Sequence, residues 1–246
     1  MSGHSKWANI RVKKTAQDAK RGKVFTRHAR LIEIVARTGG GDVTSNAALR
    51  SAIDNAKSES VPNANIERAI KKGTGELKGE AMQEVVYEAY GPAGAAFIIE
   101  CLTDNKNRTL GNVKNTLAKN GGRFAENGSV MWMFQRAGVI AARSEKLEVK
   151  SEKFLEELEL ELIDKGAEDF EVIDGRIQVV TDSAKWTGVR DFLTSQNFEI
   201  ESAGLQFIAK QTAPVDAATF DKVHALMNLL EEDDDVSEVH TNAVVA

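Results

Sequence analysis

The sequence lacks the features that mark secreted, membrane-spanning and many catalytic proteins. Its single cysteine, Cys101, excludes an internal disulfide bond. No apolar run approaches the length that spans a bilayer, and the N-terminus has no apolar signal core. Walker loops, dinucleotide fingerprints and nucleophile elbows are also missing. We therefore expect a cytoplasmic, non-enzymatic protein with no cofactor, no small-molecule substrate and no membrane contact.

Metal binding and acid–base catalysis find little support in the distribution of titratable residues. The four histidines are scattered, with no cysteine or carboxylate partners at ligand spacing, so we predict no metal site and no catalytic residue. The acidic run Glu231–Asp235 ends a predicted helix. It is interpreted as a solvated turn, and a divalent-ion site is the weaker alternative.

Positive charge is concentrated at the start of the chain. Residues 1–78 carry 16 Lys and Arg against 7 Asp and Glu, a net charge of +9, whereas the remaining residues carry 16 against 30, a net charge of −14. A basic segment on an acidic chain favours a polyanionic partner, most often nucleic acid. The residues predicted to contact it are Lys6, Trp7, Arg11, Lys13, Lys14, Lys20, Arg21, Lys23, Arg27, Arg30 and Arg108.

The second half of the basic segment has helical periodicity. From Val24 the apolar residues recur at i, i+3 and i+4, which predicts a helix that ends near Thr38, before three glycines. Its cations project from the opposite face, where they meet either phosphates or solvent. Trp7 stacks on a base or docks on the helical domain. Arg108 lies at a predicted helix N-terminus, a site that favours anions, although a capping loop explains it equally.

Three helices are predicted before the first strand: the one described above, 47–58 and 63–73. They form a basic helical domain, 1–78, with a flexible N-terminal arm. Strands at 84–90, 95–102 and 129–135 and a helix capped by Thr109 follow. Residues 137–209 then show the order β-α-β-β-α-β, with Asp174-Gly175 as a hairpin turn, which is the ferredoxin-like arrangement.

The last predicted elements, a helix at 216–232 and a strand at 236–244, have no neighbours of their own. We therefore join them to the first sheet, which lacks a second helix. The predicted fold class is α+β: an N-terminal three-helix domain plus two ferredoxin-like α+β domains, one inserted in the other. The discontinuous domain is 84–135 plus 211–246, and the inserted domain is 136–210.

Several ordered motifs resemble those of the YebC/PmpR family, which includes the mitochondrial translational activator of cytochrome c oxidase. They are 3–10 (GHSKWANI), 18–23 (DAKRGK), 65–70 (NIERAI), 87–92 (YEAYGP), 102–105 (LTDN), 107–109 (NRT) and 128–130 (GSV). The resemblance implies a helical head and two α+β domains. It also implies either a DNA-binding transcriptional regulator or a ribosome-associated factor that assists translation through proline-rich stretches.

Of these two functions, the residues favour the ribosomal one. No helix with Asn, Gln or Arg placed at its start for base edges is evident, and a basic arm with one aromatic suits structured RNA. The preferred partner is therefore rRNA on the ribosome, and duplex DNA is the alternative.

Overall fold

The computed structural model describes residues 21–78, 81–148, 152–173 and 175–246. The helices are α1 (Arg21–Gly39), α2 (Ala47–Ser58), α3 (Asn63–Gly73), α4 (Lys106–Lys119), α5 (Glu145–Glu148), α6 (Glu152–Lys165), α7 (Trp186–Ser195) and α8 (Ala217–Glu231). The strands are β1 (Gln83–Tyr90), β2 (Ala96–Thr103), β3 (Arg123–Ala125), β4 (Phe134–Arg143), β5 (Ala167–Ile173), β6 (Arg176–Asp182), β7 (Glu199–Ala209), β8 (Ala213–Val215), β9 (Val236–Thr241) and β10 (Ala243–Val245). Within these ranges no helix has the length and apolar character needed to cross a bilayer.

The first three helices pack around a small apolar core, and their predicted positions are confirmed. Ile32 and Ala36 of α1 lie against Leu49 of α2 and Ile66 of α3. The cap of α2 explains its sharp start: the side-chain oxygen of Asn46 accepts from the Leu49 N–H, and its amide donates to two carbonyls in and after α1.

A four-stranded sheet of order β3-β1-β2-β9 follows, with antiparallel neighbours throughout. Residues from α4 and α8 pack on one face of it, among them Leu117 and Leu226 against Phe97 and Ile99 of β2. Strand β9, near the C-terminus, thus completes a sheet whose first strand begins at Gln83, because β2 would otherwise present an open apolar edge.

The chain divides into two compact units, and the second is the inserted domain, Arg136–Phe207. Its sheet has the order β5-β6-β4-β7. Leu158 of α6 and Leu193 of α7 pack against strand residues such as Ile140 and Ile177. The predicted hairpin is confirmed, since Ile173 of β5 pairs with Arg176 of β6. The fold is therefore α+β, with a helical region and two sheet domains, one inserted in the other.

Two local predictions were wrong. Helix α4 begins at Lys106 and is capped by Asn105, whose side chain accepts from the Arg108 N–H, so Thr109 lies inside the helix. The strand predicted at 129–135 is instead a loop with a 3-10 turn, Met131–Met133, and β4 begins only at Phe134. The short strand β3 was not predicted.

Candidate nucleic-acid interface

The cations of α1 contact groups of the adjacent sheet domain. Lys23 Nζ donates to the carbonyls of Glu231 and Glu232, at the end of α8, and lies 3.5 Å from the Asp234 carboxylate. Arg27 lies between two carboxylates, 3.7 Å from Glu59 and 3.4 Å from Glu238. These contacts join the basic helix to the acidic end of the chain.

Three side chains, those of Arg30, Arg108 and Thr109, converge on the carboxylate of Asp235. Asp235 is only 3% exposed, and its carboxylate accepts from Arg30 at 2.9 Å and from Arg108 Nη2 at 2.7 Å. The hydroxyl of Thr109 donates to it at 2.8 Å. Burial alone would raise the pKa of Asp235, but the hydrogen bonds from Arg108 and Thr109 and the charge of Arg30 outweigh it and lower the pKa. Within the acidic run the predicted solvated turn is therefore wrong for buried Asp235, whereas Glu232 and Asp234 are exposed.

The predicted nucleic-acid contacts fall into two groups. Lys6, Trp7, Arg11, Lys13, Lys14 and Lys20, together with the side chain of Arg21, lie outside the described residues. Lys23, Arg27, Arg30 and Arg108 lie within them, and each is engaged by the protein's own carboxylates or carbonyls. Contact of either group with a nucleic acid stays a prediction.

A different element, α3, presents polar side chains to solvent. Helices α2 and α3 follow each other as helix, turn and helix, and in the turn Ser60 has a left-handed φ of 62° while Val61 is buried. Ile66, Ala69 and Gly73 face the core and Ile70 packs against it, so the opposite face of α3 is outward. Its exposed side chains include Asn63, Asn65, Arg68 and Lys71. Helix α3 thus begins with exposed asparagines, and the absence of a helix that reads base edges stays a prediction.

A groove of 520 Å³ runs beside this surface, between α1 and α3. Asn65, Arg68 and Lys72 line it from α3, and Arg30 and Glu33 line it from α1. Amide and guanidinium groups are the types that pair with purine edges in the major groove, and lysines pair with phosphates. The described residues of α3 therefore form the part of the head best suited to a nucleic acid.

A buried acid–histidine cluster lies on the sheet, between β2 and β9. The ring of His240 has Nε2 2.6 Å from a Glu100 carboxylate oxygen and 3.5 Å from Glu238. One potential metal-ligand atom from each of Glu100, Glu238 and His240 lies within 4.8 Å of the other two, so these described residues could hold a metal ion. The expectation that His240 has no carboxylate partner was wrong, because strand pairing sets Glu238 opposite Glu100.

Family models match both parts of this architecture. The model for the TACO1/YebC N-terminal domain matches residues 5–76, and that for the TACO1/YebC second and third domain matches residues 82–243. The chain belongs to the TACO1/YebC family. The resemblance drawn from the sequence motifs is thereby confirmed.

Relatives of this TACO1/YebC chain match it over nearly their full length. A Thermosipho melanesiensis protein named probable transcriptional regulatory protein is 49% identical over 98% of this chain and 93% of its own. A Bacillus licheniformis protein with the same description is 45% identical over 98% and 99%. A crystal structure of a conserved hypothetical protein from Aquifex aeolicus has a TM-score of 0.83 at 38% identity, covering 93% and 92%.

Proposed function

We propose that this chain is a non-enzymatic regulator of gene expression that binds duplex DNA, with α3 as the element that enters the major groove. The observation that supports it most is the exposed face of α3, which carries Asn65, Arg68 and Lys71 in a helix–turn–helix order. The names of the relatives, probable transcriptional regulatory proteins, agree with this function.

The roles proposed for these side chains follow from their chemistry. Arg68 forms a bidentate pair with a guanine, and Asn65 pairs with an adjacent adenine. Lys71 contacts a phosphate and sets the position of the helix. The cations predicted in residues 1–20 add further phosphate contacts, whereas Arg27 and Arg30 hold the head against the sheet domain.

Two variants separate base contacts from phosphate contacts. The probe is a duplex selected by the full chain from a random library, compared with an unselected duplex. Arg68→Ala should weaken binding to the selected duplex by about 5- to 150-fold and relax the preference at one base pair. Lys71→Ala should weaken both duplexes equally and lower the salt slope by about one.

Lys222→Ala provides the matched control, because it removes an equally exposed cation from α8 and should leave both affinities unchanged. If about six phosphates are contacted, wild-type affinity should fall about a thousandfold between 50 and 200 mM salt. If Arg68→Ala keeps the affinity and the base preference of wild type, α3 does not read DNA. If wild-type affinity does not change with salt, nucleic acid is not the partner.

The second candidate is the ribosome-associated factor that binds rRNA and assists elongation through proline-rich stretches. It is favoured by the cations and Trp7 in residues 3–23, since a basic arm with an aromatic suits structured RNA. Co-sedimentation of the chain with ribosomes in lysate, abolished by replacing Lys13, Lys14 and Lys20 with Glu, would establish this candidate. Absence from the ribosome fraction together with recovery on selected DNA would reject it.

A further inference from the structure

Trp132 is exposed to an extent that its size does not explain. It lies on the 3-10 turn Met131–Met133 with 55% of its surface in solvent, whereas aromatic side chains of this size usually bury most of their surface. Its indole N–H donates to the Ser129 carbonyl at 3.0 Å. Because the polar edge of the ring is satisfied inside the loop, the surface left for a partner is the apolar ring.

A buried carboxylate fixes the loop that carries Trp132. Glu88 of β1 is 4% exposed and accepts from the backbone N–H groups of Gly128, Val130 and Met131 at 2.6, 2.7 and 2.9 Å. Hydrogen bonds to an ionised acceptor are the stronger class. The loop is therefore ordered before any partner binds, which lowers the entropic cost of using it.

An arginine–tyrosine pair adjoins the exposed ring. The Tyr90 hydroxyl donates to the same Ser129 carbonyl, at 3.2 Å, and the Arg123 guanidinium stacks 4.3 Å from the centre of the Tyr90 ring. Arg123 and Tyr90 are register partners on β3 and β1, so the stack is built into the sheet. In the sequence, residues 105–125, which include Arg123, hold five cations and no acid, whereas residues 79–246 carry a net charge of −14.

We propose that Trp132 and Arg123 form a second nucleic-acid site, on the sheet domain, that takes an unpaired nucleobase. The base stacks on the Trp132 ring, and Arg123 contacts the adjoining phosphate. Every base has a π-face, so this site recognises single strands without regard to sequence. It goes beyond the duplex contact assigned to α3, and it uses no residue of α3.

Base stacking can be separated from phosphate contact with an abasic strand. The probes are labelled 12-mers of thymidine, of uridine and of an abasic deoxyribose chain, and binding to the full chain is followed by fluorescence anisotropy. Wild type should bind the two base-containing strands about 5- to 150-fold more tightly than the abasic strand. Trp132→Ala should abolish that preference, and Trp132→Phe should keep most of it.

Two control variants separate the effect of losing Trp132 from the effect of losing any exposed apolar side chain and from the effect of losing the α3 contact. Leu160→Ala, which removes another exposed apolar side chain, should leave the preference intact. Arg68→Ala should weaken duplex binding only, so the two proposals fail independently. The site is refuted if wild type does not distinguish the abasic strand or if Trp132→Ala retains the preference. A preference for uridine over thymidine, lost in Trp132→Ala, identifies RNA as the source of the base.

Discussion

Replacing Asp235 by asparagine removes a buried charge on which Arg30 of the head and Arg108 of the sheet domain converge. The substitution keeps the shape of the side chain but turns one acceptor into an NH₂ donor that faces other donors. Breaking a buried ion pair costs about 3–5 kcal/mol. Because Arg108 is 48% exposed and can turn towards water, we expect a smaller loss, about 2–3 kcal/mol.

Urea and thermal unfolding, followed by circular dichroism, measure this loss. A destabilisation of that size should lower Tm by roughly 5–10 °C in a unit of this length. Asp234→Asn is the matched control: its side chain is 73% exposed and only 3.5 Å from Lys23, so it should change stability by less than about 0.5 kcal/mol. Equal effects at Asp234 and Asp235 would refute the argument, as would a wild-type stability in Asp235→Asn.

The pH dependence of the stability of wild type and of Asp235→Asn tests whether the lost charge causes the destabilisation. The pKa of Asp235 is lower in the folded chain than in the unfolded one, so ionised Asp235 stabilises the fold above its unfolded pKa of about 4. That contribution is lost as pH falls through the folded value. The stability gap between wild type and Asp235→Asn should therefore be constant from pH 7 to 5 and narrow below about pH 4. A gap that is independent of pH would assign the loss to the misplaced NH₂ donor rather than to the lost charge.

Three further predictions concern one cysteine and two glycines. Burial raises the pKa of Cys101 to about 12, with the charges of Asp233 and Asp235 adding to it, so iodoacetamide at pH 8 should label it only after unfolding, as mass spectrometry would show. Gly138→Ala should destabilise the inserted domain by about 1–3 kcal/mol in urea, because a β-carbon there would overlap Trp186. Gly188→Ala meets open space in a helix and should stabilise by about 0.5–1 kcal/mol.

Elements with local signals were predicted well from the sequence. Helix α2 lies at its predicted position, where Asn46 accepts from the Leu49 N–H three residues later, and β5 and β6 pair as the predicted hairpin, with Ile173 opposite Arg176. In each case the partner of the decisive group is only a few residues away, so the pattern in the sequence contains both halves of the interaction.

In each wrong prediction, the decisive polar group bonds to a residue that is distant in the sequence. Residues 130–134 form a short apolar run of the kind seen in buried strands, yet the N–H groups of Val130 and Met131 bond to Glu88, some 40 residues earlier. Thr109 has the chemistry of a cap, yet its hydroxyl bonds to Asp235, 126 residues later. A local pattern cannot reveal that a polar group bonds to such a distant residue. The sequence therefore predicted a local interaction instead: a strand at 129–135 and a helix cap at Thr109.

The same cause limits what charge along the chain reveals about a binding surface. The cations of α1 and the acidic run after α8 are separated by about 200 residues, and each taken alone predicts a solvated or ligand-binding face. In the fold Arg30 meets Asp235 and Lys23 meets Asp234. A polyanion that bound these cations would first have to displace the carboxylates, and for buried Asp235 that displacement costs a few kcal/mol. The proposed duplex contact relies instead on exposed Arg68 and Lys71, which carry no such cost.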